Sequence, residues 1–185
     1  MSILDNPVKV EITPVSSTAE KIEQSVYYVD KGNKKLLLAH LLQDAGIKTA
    51  LVFTRTKHGA NKLTEKLVKA GISAAAIHGN KSQGARTKAL KNFKDNTIKI
   101  LVATDIAARG LDIQGLDYVV NFNLPYLPED YVHRIGRTGR AGKSGHAISF
   151  VSREEERIVD RIQRLIGSPI KRIVRRGFEV SNRET

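Results

Sequence analysis

The chain has no cysteine among its 185 residues. That excludes a disulfide scaffold, an iron–sulfur cluster, a Cys-type zinc site and a thiol nucleophile, and it fits a cytosolic setting. Tryptophan is also absent and aromatic residues amount to only 5%, too little for a series of base-stacking platforms. No stretch approaches the roughly 20 uninterrupted apolar residues of a membrane span, and nothing near Met1 has the charged and apolar regions of a secretory signal. The expectation is a cytoplasmic protein with no membrane partner. The five histidines lack metal-ligand spacing and no Ser/His arrangement reads as a nucleophile, so neither a metal site nor acyl-transfer chemistry is expected.

What is present is an ordinary globular composition, 41% hydrophobic and 27% charged, long enough for one core to bury roughly 70% of the unfolded chain's surface. Lys plus Arg number 31 against 19 Asp plus Glu, a net charge of +12. Such an excess points to a polyanionic partner, with nucleic acid in the lead. From Tyr131 onward there are 13 basic and 6 acidic residues, so the last third carries +7 of that charge. With few aromatics, binding should rest on phosphates, which position a strand without reading its sequence. The alternative is a surface of solvated lysines.

Pro7, Pro14 and Ser16 to Thr18 mark residues 1–18 as an extended lead-in or linker. From Ala19 apolar runs alternate with helical patterns. Strands are expected at Ile22 to Val29, Thr49 to Thr54, Ile72 to Ile77, Ile98 to Ala103, Tyr118 to Phe122 and His146 to Val151. Between them, helical stripes run through Leu37, Leu38, Leu41, Leu42 and Ala45, through Ala60, Leu63, Leu67 and Ala70, and through Ala85, Ala89, Leu90 and Phe93. A shorter helix starts around Pro128. Ser152 and Glu155 form a capping box ahead of the stripe Ile158, Ile162, Leu165 and Ile166, which Gly167 and Pro169 end. Apolar strands separated by amphipathic helices predict an α/β fold, a mainly parallel sheet covered by helices on both faces. Residues 19–167 form that domain and 168–185 a basic tail. Ligands of such sheets sit at the carboxyl ends of the strands.

Gly142-Lys143-Ser144 ends like a phosphate-binding loop, but Arg137 stands where its first glycine is required. No two of the 14 glycines are separated by a single residue, so the dinucleotide fingerprint is missing too. A self-sufficient NTPase is therefore not expected. Instead His133-Arg134-Ile135-Gly136-Arg137-Thr138-Gly139-Arg140 packs four cationic or potentially cationic side chains into eight residues. They repel one another unless an anion sits among them, and a phosphoryl-transfer transition state is such an anion. A solvated basic loop or a plain phosphate-binding patch is the competing reading.

That octapeptide resembles motif VI of DEAD-box RNA helicases of superfamily 2. Ala103 to Ile113 resembles motif V, Leu51 to Lys57 motif IV, and Gln83-Gly84-Ala85-Arg86 the Q-x-x-R element, in the family's order and spacing; Ile77 to Ser82 also fits. The wording is nearest to bacterial helicases of the RhlE type. The resemblance implies the second, C-terminal lobe of a RecA-like pair. The phosphate-binding loop, D-E-A-D box and S-A-T triplet of the first lobe are all missing from this sequence, so the chain reads as half of an enzyme, inactive alone, and the lead-in resembles the end of a first lobe.

By residue-to-residue matching, the resemblance implies that ATP, with Mg²⁺ held mainly by the first lobe, binds between lobes. Arg137 and Arg140 would act as arginine fingers on the γ-phosphate and His133 would couple the site to the first lobe. Asp112 would accept from the ribose hydroxyls, Gly110 would allow close approach, and Arg109 would help join the lobes. RNA would be gripped through its sugar–phosphate backbone by Thr104, Gly79, Arg86, Arg55 and Thr56. Read without the motif, Asp112 is a turn or capping aspartate, Arg86 an exposed helix arginine and Thr56 a helix N-cap. The tail Lys171 to Arg176 either extends the RNA path or is a solvated strand. A stand-alone RNA-binding module and a DNA-directed superfamily 2 lobe remain the competing functions.

Overall fold

The computed structural model describes residues 22–44, 46–139 and 144–178. The expected lead-in lies outside them, as do Ala45 and Arg140. Seven strands form one sheet: β1 (Ile22–Tyr28), β2 (Ala50–Phe53), β3 (Ala74–Ile77), β4 (Ile100–Ala103), β5 (Tyr118–Asn121), β6 (Gly145–Val151) and β7 (Lys171–Ile173). The helices are α1 (Lys34–Asp44), α2 (Lys57–Lys69), α3 (Gln83–Lys94), α4 (Asp105–Arg109), α5 (Pro128–Ile135) and α6 (Glu156–Ile166). Strand order is β3-β4-β2-β5-β6-β1-β7, and every pairing is parallel.

The sequence explains the layering. Ala50-Leu51-Val52-Phe53 and Ile100-Leu101-Val102-Ala103 are buried at every position, as strands covered on both faces must be. On one face Val52, Ile100, Val102 and Phe150 meet Leu37 and Leu41 of α1 and Leu63 and Leu67 of α2. On the other, Leu51, Phe53, Leu101 and Val119 meet Phe93 of α3 and Ala107 and Ala108 of α4, while Ile22, Val26, Ala147 and Val151 meet Ile135 of α5 and Ile158 and Ile162 of α6. Each large aliphatic side chain so buried contributes about 1.5–3 kcal/mol.

Local chemistry sets the ends. Ser82 Oγ caps α3 by accepting from Ala85 N–H at 3.1 Å. Gly167, at φ +76°, ends α6 with its N–H on Gln163 O at 2.9 Å. β3 is shorter than the apolar run Ile72 to Ile77, because Ile72 N–H is spent on Leu67 O, closing α2. One element departs from expectation. The five-residue α4 is too short to show a periodic stripe. Lys171–Ile173, for which an extension of the RNA path and a solvated strand are both open, lies within the 168–185 tail and pairs beside β1 as the edge strand; there Arg172 lies 4.2 Å from the Tyr28 ring and Arg175 meets Asp44 at 2.6 Å.

Candidate functional site

Every turn that follows a strand lies at the same end of a parallel sheet, and the candidate residues gather there. Arg55 and Thr56 follow β2, Gly79 follows β3 and Thr104 follows β4, three adjacent strands. Arg86 sits in the first turn of α3. Thr104 is the N-cap position of α4 but makes no side-chain cap bond, which leaves its hydroxyl for other use. Thr56 does cap α2, its Oγ1 accepting from Gly59 N–H at 3.0 Å. The cap uses the oxygen as acceptor and spares the O–H as a donor, so capping and strand contact are compatible. Thr56→Ala should cost about 1 kcal/mol through the lost cap, a fall of roughly 2–4 °C in melting temperature, with Thr56→Ser restoring it.

Arg86 Nε and Arg55 Nε are both buried without a hydrogen-bond partner among the described residues. Arg55 is differently placed. Its Nη2 donates to Leu124 O at 2.7 Å and to Glu155 Oε2 at 3.2 Å, and its guanidinium lies 4.1 Å from the Tyr126 ring. Beside Gly79, His78 is buried, with Nε2 2.9 Å from Asn61 Oδ1 and Nδ1 accepting from Asn80 N–H at 3.2 Å. Burial, then Lys81 and Lys57, push its pKa down, so the neutral ring holds this turn against α2.

A second group surrounds a small hollow bounded by Phe53, Arg109, Asp130, His133 and Arg137. Arg109 and His133 are largely exposed and converge on Asp130, at 3.3 and 3.9 Å. Arg137 is fixed from behind: its Nη1 donates to Leu111 O at 2.7 Å and Ile113 O at 3.1 Å, and its Nη2 to Ala108 O at 2.7 Å. Its backbone is pinned as well, Leu116 N–H donating to Arg137 O at 3.0 Å and Thr138 Oγ1 donating to Leu116 O. Gly145 must be glycine here, since a Cβ would run into Thr138 Oγ1 and the Gly139 backbone.

Asp112 is brought near this group but not into it. It is exposed and lines a separate hollow with Phe93, Asn96 and Gln114, yet the Leu111 and Ile113 carbonyls that flank it are the ones Arg137 holds. Gly110, at φ −88°, has open space where a Cβ would stand, as does Gly79. The chain's own packing does not require glycine at either position.

The premise that the cations of this segment repel unless an anion sits among them fails for Arg134. Its guanidinium is buried and forks onto Asp105, Nε to Oδ1 and Nη2 to Oδ2, both 2.7 Å, while Nη1 donates to Asn123 O at 2.6 Å and Asn121 Oδ1 at 3.2 Å. It is an internal strut, partnered by the chain itself.

Sequence reasoning also missed Lys34 with Glu155. Lys34 is 2% exposed and donates to Glu155 Oε1 at 2.5 Å and Phe122 O at 2.9 Å. Glu155 Oε1 further accepts from Ser152 N–H and Oγ at 3.1 and 3.0 Å, and Oε2 from Leu124 N–H at 2.8 Å and from Arg55. Burial alone would raise this carboxyl, but Lys34 and the N–H donors outweigh it and hold it below the usual range. The capping box was the one visible signal. Among the described residues no group of three His, Asp or Glu could hold a metal.

The model of the helicase conserved C-terminal domain matches residues 33–142. The chain belongs to that family. It is 40% identical to the ATP-dependent RNA helicase RhlB of Pseudomonas syringae pv. tomato over 165 residues, 89% of this chain and 42% of that protein. Over 178 residues it is 39% identical to SrmB of Haemophilus influenzae, covering 96% of this helicase domain and 40% of SrmB. Among solved structures, E. coli DEAD-box protein SrmB bound to regulator of ribonuclease activity A superposes with a TM-score of 0.83 at 37% identity, covering 89% of this chain and 98% of that one. A DEAD box protein from Methanococcus jannaschii gives 0.78 at 42% identity, over 83% and 42%. The helicase domain therefore has the RecA-like α/β fold of DEAD-box proteins and spans about two fifths of the length of these curated relatives. No helix among the described residues is long and apolar enough to cross a membrane.

Proposed function

We propose that this chain is the second lobe of a bacterial DEAD-box ATP-dependent RNA helicase, which closes on an N-terminal lobe when ATP and RNA are both bound. The observation that carries the reading is the convergence of Arg109, His133 and Arg137 on one hollow. Arg137 spends three of its five N–H donors on fixed carbonyls, leaving two, among the described residues, for an incoming γ-phosphate. Arg140 is the second finger, and it lies outside the described residues. Asp112, on the segment Arg137 anchors, would receive the ribose, with Gly110 leaving room. Mg²⁺ would be held mainly by the other lobe.

RNA would cross the turns after β2, β3 and β4. Thr104 would donate its hydroxyl, Gly79 its amide and Arg86 its guanidinium, with Thr56 and Arg55 completing the row. These groups suit phosphates and 2′-hydroxyls and read no bases. Closure would complete the ATPase site and bend the strand, separating short duplexes locally.

The test is RNA-stimulated ATP hydrolysis by this chain alone and by the chain joined behind a DEAD-containing first lobe. Activity only in the joined protein supports the half-enzyme reading. Activity in the lone chain overturns it, and silence in both, with docking of the lobes verified, favours a binding module. In the joined protein, Thr104→Ala or Arg86→Ala should weaken RNA stimulation more than nucleotide affinity; equal losses of both would contradict this division of labour.

A further inference from the structure

Among the described residues β3 is paired on one side only, by β4. Its other edge opens between the two helical layers, since α2 covers one face of the sheet and α3 the other. A groove of about 600 Å³ runs along this edge, floored by Ala74, Ala75 and Ala76 and walled by Asn61 and Glu65 of α2, Lys88 of α3 and Lys81 ahead of α3. A strand edge presents unpaired N–H and C=O groups, and proteins ordinarily cover or blunt it. Here only methyl groups stand on the floor, so a backbone can come close.

The flanks are predominantly basic, with Glu65 the exception on the groove wall. α2 and α3 together carry eight basic residues and one acidic residue, Glu65. Of the eight, only Arg86 is less than fully exposed, and Lys57 reaches Asn80 Oδ1 at 3.1 Å. Two copies of this edge would repel each other. An RNA strand satisfies the charge, but no aromatic residue lines the groove to stack a base, and a sugar–phosphate chain does not match the alternating donors and acceptors of a strand. An extended polypeptide matches them at strand spacing, and carboxylates on it would meet Lys81 and Lys88 on the α3 side of the groove.

We propose that the β3 edge groove docks an extended, acidic segment of a partner protein as an eighth strand, its backbone pairing with Ala74–Ile77 and its carboxylates meeting Lys88 and Lys81. The groove shares no lining residue with the candidate ATP hollow and adjoins the candidate RNA row at Lys81 and Ala85; the inference does not depend on either.

The probe is a ten-residue peptide alternating threonine and glutamate, added to the 185-residue chain. Two counterparts accompany it, one with lysine for glutamate and one N-methylated at every second residue. Fluorescence anisotropy should give at least tenfold tighter binding for the acidic peptide than for either counterpart. Amide hydrogen exchange at Ala74–Ile77 should slow at least tenfold with the acidic peptide bound. Lys81→Glu with Lys88→Glu, both exposed, should remove the preference for the acidic peptide. Equal binding of the lysine peptide overturns the proposal. So does acidic-peptide binding without protection at Ala74–Ile77, or no binding at millimolar peptide. Protection of the same amides by dodecauridylate and not by the peptide would also overturn it, giving the groove to nucleic acid.

Discussion

Arg137→Ala, introduced into a protein that carries both lobes, should reduce ATP turnover ~10³- to 10⁵-fold, the range an arginine finger commands, while ATP binding is largely retained. The same guanidinium holds the carbonyls of Ala108, Leu111 and Ile113, so its loss also frees the segment bearing Asp112. Melting of the isolated domain separates the two contributions, because a loosened segment lowers stability without needing ATP. Arg137→Lys sharpens the test: it keeps the charge but not the planar fork that spans three carbonyls while facing a phosphate, and it should not restore turnover. Undiminished turnover in Arg137→Ala would remove the finger assignment.

Glu155→Ala should destabilise the domain by about 3–5 kcal/mol, the cost of leaving a buried charge unpaired. That corresponds to a fall in melting temperature of roughly 6–20 °C at this size. The variant strands Lys34, which is 2% exposed and whose other partner is the Phe122 carbonyl, and it orphans the N–H of Leu124. Burial already lowers the pKa of Lys34 against the pull of Glu155, so without the carboxylate the ammonium loses its main support. Replacing both, Lys34→Met with Glu155→Leu, should recover much of the loss, since no charge is then buried alone. The pH dependence has a definite sign. With a folded pKa below its unfolded value, Glu155 contributes stability fully above the usual carboxylate range, and that contribution is lost as pH falls through the lowered folded value. Chemical denaturation from pH 7 to pH 3 should therefore show a decline in the parent that Glu155→Gln lacks. Parallel declines in both would place the acid sensitivity elsewhere.

The β/α alternation was legible because Leu51, Val52, Leu101 and Val102 are apolar without interruption and the helical stripes repeat cleanly. Thr56 was legible as a cap because capping is local. Lys34 was not. A lysine at a helix start reads as solvated, and only the fold brings it to Glu155, 121 positions away. Arg134 shows the same limit from the other side: a run of arginines looks self-repelling until Asp105, 29 residues earlier, is seen to neutralise one of them. The gathering of Arg109, His133 and Arg137 in one hollow required both the motif order and the sheet. The strand Lys171–Ile173 was ambiguous because two cations beside a single Ile read equally as an extension of the RNA path or as a solvated strand.

The strand order also constrains how the domain is made. β1, the first strand described, lies between β6 and β7, the last two, with Ile22 opposite Gly145 and Ser25 opposite Lys171. On a ribosome working at about 5–20 residues per second, the neighbours of β1 emerge roughly 6–25 s after it does. For that interval Val26 and Tyr27 have no sheet to enter, and the half-built chain carries an apolar strand that must be shielded or wait. Insertion of β1 is thus the step that commits the nascent domain, and a ribosome stalled before Gly145 holds a chain whose sheet cannot close.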